Sequence, residues 1–222
     1  MTRASARPGL ARPSTSRSGT RARVRDPRLA AAVAELRRKG LAPLPTPAWQ
    51  RGAGPLSLGD LIIVMVSALE LTGADSVLDV GTGSGYQAAL LGRSAGDVHS
   101  IEIDGERANA ARETLSELGI DNVEVIRGDG LQGFAAGAPY QAIIVGAATL
   151  SVPTALVDQL DVGGRLVIPI GGSEGQLVQR FRKHRDSLVA ETITGCALEP
   201  LVSPLERPSF FPWMSSMGGS VA

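Results

Sequence analysis

One stretch decides the fold of this chain: Ser76-Val77-Leu78-Asp79-Val80-Gly81-Thr82-Gly83-Ser84-Gly85-Tyr86-Gln87. Its first residues are mostly apolar and predict a buried strand, and the run 87–91 predicts a helix. Three glycines at alternate positions separate the two. Glycine can adopt a positive φ and lets a ligand approach the backbone, and the first N–H groups of a helix have no partner inside the helix. The stretch therefore predicts a strand, a tight turn and a helix that hold a nucleotide-like cofactor, although this glycine spacing also occurs in plain tight connections.

A second predicted strand, 98–102, ends in the carboxylate of Glu102. This acid follows the glycines by roughly twenty residues, the distance at which a βαβ unit brings an acid to ribose hydroxyls. A dinucleotide-binding fold shares this feature, but its fingerprint places the last glycine one position later, where this chain has Tyr86. An NAD-dependent oxidoreductase is therefore the least favoured interpretation, and little chain is left for its substrate domain.

A second acid follows a third predicted strand. Residues 122–126 form that strand, and Arg127-Gly128-Asp129-Gly130 comes directly after it. Ligands of open α/β sheets bind at the carboxyl ends of the strands. Asp129 would therefore lie at the ligand crevice, where a carboxylate can accept a hydrogen bond from the amino group of adenine.

Strands and helices alternate along the rest of the chain, which predicts parallel strands with helices on both faces of the sheet. Further strands are predicted at 142–145 and 165–170, followed by a hairpin of 176–183 and 188–192, which 196–202 would extend. The chain is thus predicted to be an α/β protein with a doubly wound, mostly parallel, seven-stranded sheet and a C-terminal antiparallel hairpin.

Composition divides the chain into one domain and three flanking segments. Residues 1–28 hold eight arginines and one acid, with few large apolar residues, and predict a disordered basic tail. Residues 29–55 predict a short amphipathic helix and a Pro/Gly-rich connection. The domain is expected over 56–202, and 203–222 is expected to be a loose C-terminal tail.

Charge and composition narrow the function classes. Outside the first 28 residues, 14 basic and 21 acidic residues remain, which argues against a nucleic-acid surface on the folded part. The apolar run 61–69 is too short to span a bilayer. Cys196 is the single cysteine and is expected to be a buried thiol, and neither His99 nor His184 has a spacing that suggests a metal site. We expect a cytoplasmic chain without a membrane partner, whose folded domain has no nucleic-acid partner.

Several blocks of the sequence together resemble the protein-L-isoaspartate O-methyltransferases, which are S-adenosyl-L-methionine-dependent enzymes. The resemblance covers about residues 56–202. The blocks that carry it are 77–87, 100–102, 128–130, 138–145 and 163–171. The most specific are Gly-Thr-Gly-Ser-Gly-Tyr-Gln and Ala-Pro-Tyr-x-Ala-Ile-Ile-Val.

The resemblance implies an activity: methylation of a carboxyl group on L-isoaspartyl residues of damaged proteins, which starts repair through a succinimide. The partner would be a peptide or protein with an isoaspartyl residue, and the product of the cofactor would be S-adenosylhomocysteine. Apart from the resemblance, we expect a monomer. The methyltransferase class also implies a terminal hairpin inserted into the sheet.

The predicted cofactor contacts fall into three groups. Asp79 and the glycine turn would shape the methionine end, Glu102 would hold the ribose, and Asp129 with Gly130 would meet the adenine. In the family, a glutamine at the position of Gln176 reaches towards the cofactor. The full predicted set is Asp79, Gly81, Thr82, Gly83, Gly85, Glu102, Ile103, Asp129, Gly130 and Gln176.

The candidate catalytic residue is Ser57. The family has an active-site serine in a Thr-Ile-Ser segment at this distance before the glycines, and Pro55-Leu56-Ser57 matches the serine and an apolar neighbour. The Ser57 hydroxyl would donate to the substrate carboxylate. A structural role is equally open, because Ser57 with Asp60 also predicts a capping box for the helix that follows.

Two departures from the family leave other functions open. The connection 41–54 is shorter than the family's cleft-covering stretch, and Gly59-Asp60 replaces the family's usual residues after the serine. Cofactor binding is therefore better supported than the isoaspartyl substrate. A methyltransferase for another peptide or small-molecule carboxylate or hydroxyl, and a non-catalytic S-adenosylmethionine-binding protein, are the alternatives.

Overall fold

The structure is a computed structural model that describes residues 24–45 and 55–204. The predictions for 1–23, 46–54 and 205–222 lie outside the described residues.

A single sheet forms the centre of the described chain. Its strands are β1 (Ser76–Val80), β2 (Asp97–Glu102), β3 (Val123–Arg127), β4 (Tyr140–Val145), β5 (Leu160–Gly172), β6 (Gly175–Lys183) and β7 (Leu188–Cys196). The order across the sheet is β3-β2-β1-β4-β5-β6-β7. Strands β1 to β5 pair in parallel, whereas β6 is antiparallel to both β5 and β7. The predicted seven-stranded, mostly parallel sheet with a C-terminal hairpin is confirmed.

The position of the hairpin differs from the prediction. The resemblance predicts a hairpin that is inserted into the sheet, but β6 and β7 extend the sheet consecutively beyond β5. Only Ser173 and Glu174 separate β5 from β6, and Gly172 pairs with Gly175. A connection this short can only join adjacent antiparallel strands, so β6 must lie beside β5. The strand β7 ends at Cys196, and the predicted extension over 196–202 is not a strand.

Helices cover both faces of the sheet, as a doubly wound fold requires. They are α1 (Pro27–Arg38), α2 (Leu58–Ala68), α3 (Tyr86–Gly92), α4 (Gly105–Glu117) and α5 (Thr154–Gln159). The buried apolar residues of α1 to α4 belong to one core cluster, and the buried apolar residue of α5, Leu156, belongs to the other. The helix α1 begins before residue 29 because Asp26 caps it, accepting the Arg28 N–H at 2.8 Å, and Pro27 opens it. The basic tail predicted over 1–28 therefore includes the first residues of α1.

Alternate residues of the buried strands face the two core clusters. In β4, Ala142 and Ile144 belong to the cluster under α1 to α4, and Ile143 and Val145 belong to the opposite one. This follows from the two-residue period of a strand that is covered on both faces. By the same period Asp79 points with Val77 towards α3, into an otherwise apolar layer.

The carboxyl ends of the parallel strands lie together at one edge. Val80 pairs with Val145 on one side and with Ile101 on the other, and Glu102 pairs with Arg127. The segments that follow β1, β2, β3 and β4 therefore meet there, where ligands of such sheets bind.

Two predictions from composition can be compared with the described residues. Cys196 is buried, and burial raises the pKa of its thiol to about 11. Within residues 24–45 and 55–204, none of the helices is both long enough and apolar enough to cross a bilayer.

Candidate functional site

The glycine turn follows β1 and leaves its backbone open. Gly81, Gly83 and Gly85 have φ values of 93°, 56° and 79°, a region that strains residues with a side chain. A Cβ placed on Gly81 would have no atom within 4 Å, and one placed on Gly83 would meet only Leu44 Cδ1, at 3.5 Å. The neighbouring strand β2 fixes the turn, because the Gly81 and Thr82 N–H groups donate to Ile101 O at 2.8 and 3.2 Å. The predicted strand, turn and helix are confirmed.

Glu102 lies directly against this turn. Its side chain is buried, with 6% exposure for the residue. One carboxylate oxygen accepts the Gly83 N–H at 2.9 Å, and the other accepts the Asp104 N–H at 3.1 Å. Each oxygen keeps a lone pair, so the carboxylate can still accept hydrogen bonds from two hydroxyl groups. Ile103 follows it, half-buried, in the bend after β2.

Asp129 lies at the same edge, beyond β3. Its Oδ1 accepts the Leu131 N–H at 3.0 Å, and its Oδ2 accepts the Ser203 hydroxyl at 2.6 Å. Gly130 is buried, and a Cβ there would clash with Val80 Cγ1 at the end of β1. The close contact with β1 needs glycine, and it places Asp129 on the side of the sheet edge that the glycine turn occupies.

The contact with Ser203 corrects a prediction. The C-terminal tail was expected to be loose from residue 203 onwards, but Ser203 is only 6% exposed and is bonded to Asp129. Seventy-four positions separate the two residues in sequence, so no local pattern indicates the pair.

Asp79 lies beneath the glycine turn and is completely buried. Gln87 Nε2 donates to its Oδ1 at 2.7 Å, and Ser100 Oγ donates to its Oδ2 at 2.7 Å. Burial raises the pKa of Asp79 from 3.8 to about 6; the two donors oppose this rise, and the nearby Glu102 charge adds to it. The site therefore holds a carboxylate whose ionisation is costly in the folded chain.

Thr82 belongs to the same buried network. Its Oγ1 lies 2.6 Å from Ser100 Oγ, and because the Ser100 proton goes to Asp79, Thr82 is the donor of this pair. The side chain of Thr82 therefore faces the core, and only its backbone is available to the cofactor.

A cleft of about 100 Å³ opens beside the turn. On one side it is lined by the backbone from Gly81 to Ser84, and on the other by apolar side chains of α2 and of two flanking segments. The apolar lining residues include Leu44, Leu58, Ile62, Met65 and Leu198. An apolar wall opposite a few directional polar groups is typical of small-molecule sites.

Ser57 is the N-cap of α2. Its Oγ accepts the Asp60 N–H at 3.2 Å and donates to Asp60 Oδ2 at 2.7 Å. The predicted capping role is confirmed, although Asp60 bonds the hydroxyl and not the Ser57 N–H. Since Leu58 lines the cleft, Ser57 lies one residue from it. Its catalytic role stays a prediction.

Gln176 lies on β6 and contacts the site indirectly. Its Nε2 donates to Leu198 O at 3.0 Å, and its Oε1 accepts the Leu198 N–H at 2.7 Å. Both amide atoms thus position a residue that lines the cleft. A direct contact between Gln176 and the cofactor stays a prediction.

The sequence did not identify the partners of the buried carboxylate. Ser100 and Asp79 are opposite each other in the β1–β2 register, which explains their contact. A serine within a predicted strand is the only local signal. Gln87 lies eight positions after Asp79, and the helix after the turn brings it back over the strand.

The residues fit the predicted cofactor. The backbone at Gly81 and Gly83 has room for a ligand, Glu102 retains acceptors that suit the predicted ribose hydroxyls, and Asp129 retains acceptors that suit the predicted adenine amino group. The apolar wall suits the uncharged parts of the ligand.

Known proteins resemble this chain over most of its length. The family model described as protein-L-isoaspartate(D-aspartate) O-methyltransferase matches residues 23–206. Protein-L-isoaspartate O-methyltransferase 2 of Pelobacter propionicus is 40% identical over 193 residues, which cover 81% of this chain and 84% of the relative. Protein-L-isoaspartate O-methyltransferase 1 of Rhodopseudomonas palustris is 38% identical and covers 81% and 77%, respectively.

Solved structures share the fold. A protein-L-isoaspartate O-methyltransferase superposes with a TM-score of 0.61 at 28% identity, over 65% of this chain and 47% of that one. A Plasmodium falciparum protein described as a putative enzyme of this kind, in complex with S-adenosyl-L-homocysteine, superposes with a TM-score of 0.58 at 21% identity, over 81% and 92%.

The pKa of Asp79 predicts how stability depends on pH. A carboxyl group with a raised pKa in the folded state stabilises the fold below its unfolded pKa, and this contribution is lost as pH rises through the folded pKa. For Asp79 the loss extends from pH 3.8 to about 6. It amounts to about 3 kcal/mol, since each pKa unit corresponds to about 1.4 kcal/mol.

The measurement is urea denaturation of the wild type and of Asp79→Asn between pH 4 and pH 7.5. Relative to the variant, the wild type should lose about 2 kcal/mol of unfolding free energy over this range, because more than half of the unfolded Asp79 is already ionised at pH 4 and asparagine does not titrate. A difference between the two proteins that is constant with pH would show that Asp79 titrates as it does in the unfolded chain.

Proposed function

This chain belongs to the protein-L-isoaspartate(D-aspartate) O-methyltransferase family, and we propose that it transfers a methyl group from S-adenosylmethionine to the free carboxylate of L-isoaspartyl residues in damaged proteins. One observation supports the proposal most strongly. The Glu102 carboxylate accepts the N–H of Gly83 at 2.9 Å, and Gly83 lines the cleft, so the predicted ribose-binding acid and the open turn belong to one site.

Methyl transfer to a carboxylate requires little acid–base catalysis by the protein. A carboxylate with a pKa near 4 is already ionised at neutral pH, so the acceptor needs no general base. When bound, S-adenosylmethionine supplies an activated methyl group together with its own leaving group. The protein has to align the acceptor oxygen with the methyl carbon, and such alignment can lower a barrier by about 7–11 kcal/mol.

Each predicted residue has a role in this alignment. The backbone of Gly81 to Gly85, including Thr82, would hold the methionine end, and Glu102 would fix the ribose, with Ile103 flanking it. Asp129 and Gly130 would meet the adenine.

Two predicted residues would act without contacting the cofactor directly. Asp79, buried beneath the turn, would favour the positive charges of the cofactor. Gln176 would keep Leu198 in the wall of the cleft.

The acceptor would enter on the α2 side, where the wall is apolar. Leu58, Ile62 and Leu198 give this side of the cleft an apolar wall, which would exclude water once the ligands are bound, and a dry environment strengthens the remaining electrostatic interactions. The Ser57 hydroxyl would rotate from Asp60 and donate to the substrate carboxylate.

Asp60 favours a second candidate function. Its carboxylate lies 2.7 Å from Ser57 Oγ, and a negative charge there disfavours a negatively charged acceptor beside it. Methyl transfer to an uncharged hydroxyl of a peptide or small molecule is the second candidate. A monomeric state and a cytoplasmic location stay predictions from the sequence.

The proposed function is tested by tritiated methyl transfer from S-adenosylmethionine to an isoaspartyl peptide and to the same peptide with ordinary aspartate. Label should appear in the isoaspartyl peptide alone, because an active site that works by alignment discriminates between the two carboxylate positions. If calorimetry detects cofactor binding but neither peptide is labelled, the isoaspartyl assignment is wrong and another acceptor or a non-catalytic role is favoured.

The cofactor assignment is tested at Glu102. Glu102→Ala should weaken S-adenosylmethionine binding about ten- to a hundredfold in isothermal titration calorimetry, because a hydrogen bond to a charged group contributes about 1.5–3 kcal/mol. Glu124→Ala is the matched control, since the Glu124 side chain is 68% exposed on the neighbouring strand. Unchanged affinity in Glu102→Ala would exclude Glu102 as a ribose ligand.

The two roles of Ser57 are separated by Ser57→Ala. Loss of the N-cap should lower the free energy of unfolding by about 1 kcal/mol. If the hydroxyl also orients the acceptor, kcat/KM for the isoaspartyl peptide should fall at least about tenfold, and Ser57→Thr should restore most of it. A variant that loses stability but keeps full turnover would identify Ser57 as a cap alone.

A further inference from the structure

The segment after β7 crosses the sheet edge above the site. We name residues 197–203 the C-terminal strap. Gln176 binds both backbone groups of Leu198, at 2.7 and 3.0 Å. Ala148, which follows β4, donates to Glu199 O and accepts the Leu201 N–H, both at 2.8 Å. The strap is therefore fixed to the carboxyl ends of the sheet at several points.

The strap reaches both ends of the proposed cofactor site. At its start, Leu198 lines the cleft beside the glycine turn. Further along, Leu201 packs near Gly130, where a Cβ would lie 3.4 Å from Leu201 Cδ1. At its end, the buried Ser203 hydroxyl donates to Asp129 Oδ2 at 2.6 Å.

Two donors fix the orientation of the Asp129 carboxylate. The Leu131 N–H binds Oδ1 at 3.0 Å from the same loop, and the Ser203 hydroxyl binds Oδ2 from the strap. A carboxylate held at both oxygens cannot rotate without breaking one of these bonds. Each oxygen has a second lone pair, so the group still offers acceptors, in a fixed direction, to a ligand.

We propose that Ser203 determines the purine specificity of the cofactor site by holding Asp129 in place. This inference rests on the proposed function, in which Asp129 meets the adenine. A fixed acceptor favours the 6-amino group of adenine, which donates, and disfavours the 6-oxo group of hypoxanthine, which accepts. Ser203 is thus a positioning residue that acts on the purine through Asp129.

The test compares the binding of S-adenosylhomocysteine and S-inosylhomocysteine, which differ at the 6-position of the purine. In Ser203→Ala, the Kd for S-adenosylhomocysteine should rise about tenfold, whereas the Kd for S-inosylhomocysteine should stay within about twofold of the wild-type value. The preference for adenine should therefore fall. Ser203→Thr keeps a hydroxyl and should restore it, and Ser187→Ala, in the exposed β6–β7 turn, should leave both affinities unchanged.

Asp129→Ala separates failure of this inference from failure of the proposed adenine contact. If Asp129→Ala keeps the preference for adenine, Asp129 does not meet the base and the proposed contact is wrong. If Asp129→Ala abolishes the preference and Ser203→Ala keeps it, only the role of Ser203 is wrong. Equal weakening of both ligands in Ser203→Ala would indicate a merely structural bond, and tighter binding would indicate that the strap competes with the adenine; either result overturns the inference.

Discussion

The buried carboxylate of Asp79 is the constraint on which the rest of the site depends. A charge in an apolar layer must be satisfied by hydrogen bonds or be neutralised. Its two donors come from the neighbouring strand, through Ser100, and from the helix after the turn, through Gln87. Satisfying this one group therefore locks β1, β2 and α3 together around the glycine turn. Burial of the ionised Asp79 destabilises the fold, which is consistent with a functional site, because carboxylates with shifted pKa values are concentrated at such sites. A cationic ligand above the turn would offset this destabilisation.

Chain direction accounts for the way the site is assembled. Parallel strands deliver their carboxyl ends to one edge, so two acids that are distant in sequence, Glu102 and Asp129, lie near the same turn. The turn presents backbone atoms, and α2 opposes it with apolar side chains. This arrangement suits a reaction that is accelerated by alignment and dehydration, since no group of the site has to store or release a proton during methyl transfer.

The acceptor side is where the sequence predicts the largest departure from the family, since the connection 41–54 is predicted to be shorter than the family's cleft-covering stretch. In the structure, Pro43 and Leu44 line the cleft near Gly83. Asp60 accepts a hydrogen bond from the Ser57 hydroxyl. The hydroxyl that caps α2 is therefore the same group that would bind a substrate carboxylate. Differences between this chain and its relatives in substrate preference should therefore arise from α2 and its N-terminal approach, whereas the cofactor half follows the sheet.

The sequence predicts the strand, turn and helix at the glycines, the acids at the ends of β2 and β3, and the alternation that gives a parallel sheet. These features are local, because they depend on residue period and on spacings within one βαβ unit. Three further features are visible in the folded chain alone: the hairpin extends the sheet, Ser100 and Gln87 both donate to Asp79, and Ser203 binds Asp129. Each of these depends on strand register or on a contact between segments far apart in sequence, and no local propensity specifies which distant side chain will occupy the space beside a given group.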